Sequence, residues 1–131
     1  MKSSIQLFAA SLIIFGGLTE VQAFDKGQFQ NVQTGQKECT GCDLSNANFY
    51  GLDLTRVNFA GAKLDGAVLS RSHLAGANLK GASFTGARID QIDFTKVNLV
   101  GVNLAKAWCD FSTKLPAGSE WTCEGVIITR R

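Results

Sequence analysis

The sequence predicts an all-β solenoid, in which short strands wind round and stack turn upon turn, and three observations carry that prediction. Counting by fives from Leu44 lands on Leu44, Phe49, Leu54, Phe59, Leu64, Leu69, Leu74, Leu79, Phe84, Ile89, Phe94, Leu99, Leu104 and then Cys109, with no insertion and every residue suited to burial. Two residues before the landings stand mostly small or branched residues, from Cys42, Ala47 and Leu52 through Ser72 to Ile92 and Ala107. Gly recurs two after the landing at 51, 61, 66, 76, 81, 86 and 101, where each five-residue side needs a tight turn. Beyond residue 40, helical periodicity and simple strand alternation both fail, whereas a fixed period of five means a repeat whose apolar side is buried only by its neighbours.

Composition sets the outer bounds. A chain of 131 residues allows one domain, and 13 Lys+Arg against 11 Asp+Glu leave a formal charge of only +2, neither an acidic nucleic-acid mimic nor a polybasic arm. At 45% hydrophobic and 18% charged, the composition supports a small core rather than disorder.

Residues 1–23 read as a secretory signal. Lys2 precedes an apolar run through Ile5, Leu7, Phe8, Leu12, Ile13, Ile14 and Phe15, and Val21-Gln22-Ala23 supplies a small-residue cleavage site. The run is shorter than the ~20 residues of a membrane span, and the alternative is a retained N-terminal anchor. Cleavage near Ala23 would place the product outside the cytoplasm, in the periplasm or secreted, with no stable membrane span. Cys39, Cys42, Cys109 and Cys123 would then all meet an oxidising compartment.

The repeat itself carries a likeness. Ala47-Asn48-Phe49, Ala77-Asn78-Leu79-Lys80-Gly81 and Ala82-Ser83-Phe84-Thr85-Gly86 resemble the pentapeptide-repeat family. The resemblance covers roughly residues 37–111 and implies a right-handed quadrilateral β-helix of about three and a half coils, four pentapeptides to a coil. The corresponding division is a signal over 1–23, an N-terminal cap over 24–38, the β-helix over 39–111 and a C-terminal cap or tail over 112–131.

With four sides per coil, residues twenty apart lie one above another at about 4.8 Å. Three inner layers follow: Leu44 to Phe59, Leu64 to Leu79 and Phe84 to Leu99, a filled shaft without room for an interior ligand. Phe29 and Val32 suggest a short helix or turn over the first coil. Trp108, Phe111, Leu115, Trp121 and Val126 to Ile128 supply bulk to close the last. Cys42 and Cys109 stand more than three coils apart, roughly 16 Å along the axis, beyond the ~7 Å between Cα atoms that a disulfide allows. Cys39 with Cys42 and Cys109 with Cys123 are therefore the expected pairs. For the lone C-x-x-C, reduced thiols, redox chemistry and metal binding stay open.

On the outer walls, Asn58, Asn78 and Asn98 align as a ladder of amides. Asp53, His73 and Asp93 align on the next wall, the imidazole between two carboxylates that would favour its protonated form, with Arg56 and Lys96 close by. That column is either a cation or proton-sensitive docking site or a solvated polar wall. A third wall carries Tyr50, Val68, Arg71, Arg88, Asp90 and Trp108, with Phe111 at its upper end. These residues suit a protein interface or the underside of the C-terminal tail, and the tail is the reading favoured here.

No nucleophile and base, phosphate loop or zinc spacing beyond the Cys pair is present, so the expectation is no enzyme, no catalytic residue, no cofactor and no metal. The expected role is a rigid interaction scaffold outside the cytoplasm, contacting an extracytoplasmic protein or envelope component and not nucleic acid, as a monomer or weak end-to-end dimer. The alternative is a structural spacer without a specific partner. More remotely, the family includes acidic members that mimic DNA and engage type II topoisomerases, a role that this charge and the expected export do not fit.

Overall fold

The structure is a computed structural model that describes residues 25–131; the expected signal over 1–23 lies outside the described residues. One relation builds the column: parallel rungs join residues twenty apart on four successive sides, as in Glu38 to Asn58, Asp43 to Lys63, Asn48 to Val68 and Asp53 to His73, and the pattern climbs through Asn78 to Asn98, Ser83 to Asn103 and Arg88 to Trp108. A regular rung is a pair of backbone hydrogen bonds. Leu64 N–H donates to the Ser83 carbonyl at 2.7 Å, and Ser83 N–H to the Ala62 carbonyl at 3.0 Å.

Between rungs the chain turns in the same way at nearly every corner. The amide three after nearly every landing donates back to the landing carbonyl, as Ala47 does to Leu44 at 3.1 Å and Ala62 to Phe59 at 2.9 Å. The residue two after the landing takes a left-handed conformation, with φ near +70° at Gly61 and Gly81, a region glycine enters without steric cost. Asn46, Arg56, Arg71, Gln91 and Lys106 adopt the same conformation without being glycine. The polar residue before the landing secures the turn: Asn48, Asp53, Asn58, Asn78 and Asn103 each accept the backbone N–H two residues on, at 3.0 to 3.1 Å.

These turns aim the landing side chains inward. Leu44, Phe49, Leu54, Phe59, Leu64, Leu69, Leu74, Leu79, Phe84, Ile89, Phe94 and Leu104 are buried, as are the small residues preceding them from Ala47 to Ala107. Leu99 departs from the expected third layer. It is only half-buried, because the loop over residues 116–121 stands off from its side of the coil and leaves a cleft of about 430 Å³. Leu52, on the lowest coil, is also half-buried.

Below the first coil lies helix α1 (Lys26–Gln33), started by the Asp25 carboxylate, which accepts Gln28 N–H at 3.0 Å. The helix covers apolar surface and satisfies backbone together. Phe29 meets the Phe49 ring edge-on at 5.0 Å, and Val32 is buried. Asp25 N–H donates to the Asp43 carbonyl at 3.0 Å, while Gln28 Oε1 accepts Asp43 N–H at 2.9 Å.

At the upper end strands β1 (Trp121–Glu124) and β2 (Ile127–Arg130) form an antiparallel hairpin. Ile127 pairs antiparallel with Trp108, and Ile128 N–H donates to the Ala107 carbonyl at 2.9 Å. The tail thus extends the Val68, Arg88, Trp108 wall edge to edge instead of lying over its face, and this corrects the favoured reading of that wall. Trp121 and Ile128 are buried, but Trp108 is 46% and Phe111 99% exposed. Phe111 stands at the outer corner of its turn, where the side chain points away from the shaft.

Cys39 is joined to Cys42 with Cα atoms 5.2 Å apart, and Cys109 to Cys123 at 6.1 Å. The second bridge ties the hairpin to the last landing.

Three outcomes test this packing. Leu74→Asp should abolish folding, since it buries an unpaired charge in the shaft; a normally folded variant in circular dichroism and gel filtration would refute the register. Replacing Cys109 and Cys123 together by Ser should lower stability by about 3 kcal/mol in denaturant melts, from the ~15-residue loop that the bridge closes. Asn58→Ala should cost about 1–2 kcal/mol and Asn103→Ala about half that, because Asn58 also bonds the Asn78 and Glu38 side chains whereas Asn103 secures only its own turn.

Candidate functional site

The expected outer columns form to different extents. Asn78 Nδ2 donates to Asn58 Oδ1 at 3.2 Å, and Asn58 Nδ2 to Glu38 Oε1 at 3.2 Å. The amide ladder therefore runs down to Glu38. Asn98 joins it through backbone alone, its Oδ1 taken by Val100 N–H at 3.0 Å.

The Asp53, His73, Asp93 column is continuous for one step only. Asp53 and His73 share a regular rung, with His73 N–H on the Leu52 carbonyl at 2.9 Å and Leu54 N–H on the His73 carbonyl at 2.8 Å. His73 and Asp93 share none. The rung above Asp93 is a residue out of step, since Asp93 pairs with Lys114, 21 positions on. Lys96, two after its landing, lacks the left-handed conformation found at that position in every turn from Gly41 to Gln91. Gly76 N–H reaches past Thr95 to the Lys96 carbonyl at 3.4 Å, where the repeat elsewhere reaches nineteen residues on, as Gly61 does to Lys80.

The break opens a half-enclosed cleft of about 430 Å³ whose lining includes Ser72, His73, Gln91, Asp93, Thr95 and Lys96. A second irregularity sits directly above. The last turn, Asp110 to Thr113, holds an extra residue before Lys114, and the Asp110 carboxylate accepts Gln91 N–H at 3.2 Å in place of a backbone carbonyl. Burial raises the Asp110 carboxyl, but hydrogen bonds from Ser112, Gln91 and Thr113 outweigh it and hold the group below the usual carboxylate range.

The carboxylates of the column are already occupied. The hydroxyl and amide of Thr95 hold Asp93 below the ordinary carboxylate range, with Lys114 and Lys96 adding to the effect, and Thr55 does the same for Asp53. The basic side chains are freer. No hydrogen bond or ion pair engages the His73 imidazole or the Lys96 ammonium. Arg71 is anchored, its Nε on Gln91 Oε1 at 2.9 Å and Nη1 on the Tyr50 hydroxyl at 3.2 Å. Ser72 is buried between half-buried Leu52 and buried Ile92 in the inward column, and its Oγ has no hydrogen-bond partner. Among the described residues no three His, Cys, Asp or Glu side chains converge as a metal site, so the column does not gather a cation cage.

On the third wall Arg88 pairs with Asp90 at 3.6 Å, and Asp90 accepts the Ser70 hydroxyl at 2.7 Å. Trp108 stands on the same wall beside Val126, which is also exposed.

Lys96 stands close to the column as expected, whereas Thr95 and Ser72 carry no sequence signal of a site on their own. Their signal is indirect: the count by fives, carried past Cys109, lands on the polar Lys114, with the apolar Leu115 one position late. That slip marks the level at which the wall parts.

Comparison with curated protein sequences found no match. Among solved structures, the chain is similar to a pentapeptide repeat protein from Nostoc at 24% identity and a TM-score of 0.45, covering 76% of this chain and 91% of that one. It is also similar to a pentapeptide repeat protein from the Arabidopsis thaliana thylakoid lumen, at 30% identity and a TM-score of 0.38, covering 60% of this chain and 58% of that one. The family model for pentapeptide repeats matches eight copies over residues 28–59, 53–91 and 72–107. With that match spanning more than half of the sequence and the rungs falling at the same interval, the chain belongs to the pentapeptide-repeat family.

Proposed function

We propose that this protein is a rigid, non-enzymatic interaction module that works outside the cytoplasm and presents one outer wall to a protein or envelope component. The family is generally non-enzymatic. The fold read here is a right-handed quadrilateral β-helix of about three and a half coils, with α1 as its N-terminal cap and the β1–β2 hairpin as its C-terminal cap.

The observation that carries the reading is the filled shaft. Leu, Ile and Phe side chains occupy the interior from Leu44 to Leu104, while α1 and the hairpin cover much of the two ends. Contact surface is left on the walls, and the wall with His73 and Lys96 is the one whose regular relief is interrupted. Export rests on the pattern of residues 1–23 and on four cysteines held as two bridges, an arrangement that suits an oxidising compartment.

The test is site-specific photo-crosslinking in the native envelope, with the reactive group placed in turn at His73, Lys63, Arg88 and Asn98. These are exposed positions, one on each wall. The expected outcome is one stoichiometric adduct from a single wall, foremost that of His73. Equal or no crosslinking from all four would favour the spacer reading and overturn this one.

A further inference from the structure

We infer that the cleft between His73 and Asp93 is a binding site for a phosphate group, whether free phosphate or a phosphate ester. The inference concerns a small ligand and stands independently of the scaffold reading.

The missing rung leaves backbone groups unspent. By the rule of the column, Leu74 N–H would donate to the Asp93 carbonyl and Asp93 N–H to the Ser72 carbonyl, as Leu54 and His73 do one coil below; neither bond forms. Ala75 N–H is also unpaired, since His73 cannot accept it as Asp53 accepts Thr55 N–H, and the turn amides after Lys63, Val68 and Arg88 are left open in the same way. The Ser72 hydroxyl, buried beside them, has no partner. Three amides and a hydroxyl without partners at one break in a sheet call for an outside acceptor.

Charge selects the acceptor. His73 and Lys96 reach the cleft without a hydrogen bond or ion pair, and Arg71 stands at its edge. Against them, Asp93 lines the cleft but is already held by Thr95 N–H at 2.9 Å and by the Thr95 hydroxyl, and Asp53 lies one rung below His73, outside the lining and held by Thr55. The surplus favours an anion. The carbonyls of Ser72 and Asp93, freed by the same break, add acceptors that a carboxylate or sulfate ligand could not satisfy. A phosphate in its singly protonated form brings both acceptor oxygens and an O–H donor, and so matches both sets.

The experiment is an amide-resolved NMR titration of the folded protein with inorganic phosphate, sodium sulfate and glycerol phosphate as separate probes. The expected result is a saturable shift of the Leu74, Ala75 and Asp93 amides with phosphate, at least about tenfold weaker with sulfate. Glycerol phosphate binding as tightly as inorganic phosphate assigns the site to esters, and weaker binding assigns it to the free ion. Lys96→Gln should weaken binding by about tenfold, the loss of one charge-assisted hydrogen bond, and Lys80→Gln on another wall should leave it unchanged. A shift that does not saturate, survives Lys96→Gln, or appears equally on every Lys-bearing wall would overturn the site. Hydrogen exchange checks its premise without ligand: Leu74 N–H should exchange faster than Leu54 N–H, and equal protection would show that the rung is formed and would sink the inference.

Discussion

The vertical rung, two backbone hydrogen bonds between residues twenty apart, is the constraint on which the rest of this structure depends. A side of five residues is too short to form a stable strand by itself. It persists because each side is paired above and below and its inward residues are enclosed by the layers next to them. The same geometry explains why the interior is uniform and the exterior varied: inward positions must match the layer above and below in volume, whereas outward positions need only complete the turn.

Turn chemistry and stacking reinforce one another. An Asn or Asp before the landing holds the amide two residues on, a left-handed residue follows, and the chain arrives at the next corner pointing along the next side. Arg71 and Gln91 take up the left-handed conformation without glycine's freedom, at a local cost of roughly 1–2 kcal/mol each. Their side chains are hydrogen-bonded to each other across the coils, which offsets part of it.

Much of this architecture was legible because burial repeats with the period of the backbone. Leu44 to Phe94 announce the shaft by recurrence alone, and Phe29 and Val32 mark the covering helix by being apolar among polar neighbours. Where the repeat stops, periodicity loses its force. The hairpin's edgewise pairing with Trp108, the exposure of Phe111 and the partial exposure of Leu99 are set by how one non-repeating loop meets the last coil, and no recurring spacing encodes that. The candidate site was legible only in outline: Asp53, His73 and Asp93 do occupy one wall, but the absent rung between His73 and Asp93 and the slipped pairing of Asp93 with Lys114 follow no recurring spacing.

The two cysteine bridges each close within their own end of the molecule, Cys39 to Cys42 and Cys109 to Cys123, and no covalent tie runs along the axis. In a linear array whose storeys hold only their neighbours, fraying from the extremities is hindered by such clasps, and failure is displaced to the weakest internal joint. Here that joint is the interrupted side between His73 and Asp93, so under heat, force or protease this column should come apart from its middle rather than unravel from its tips.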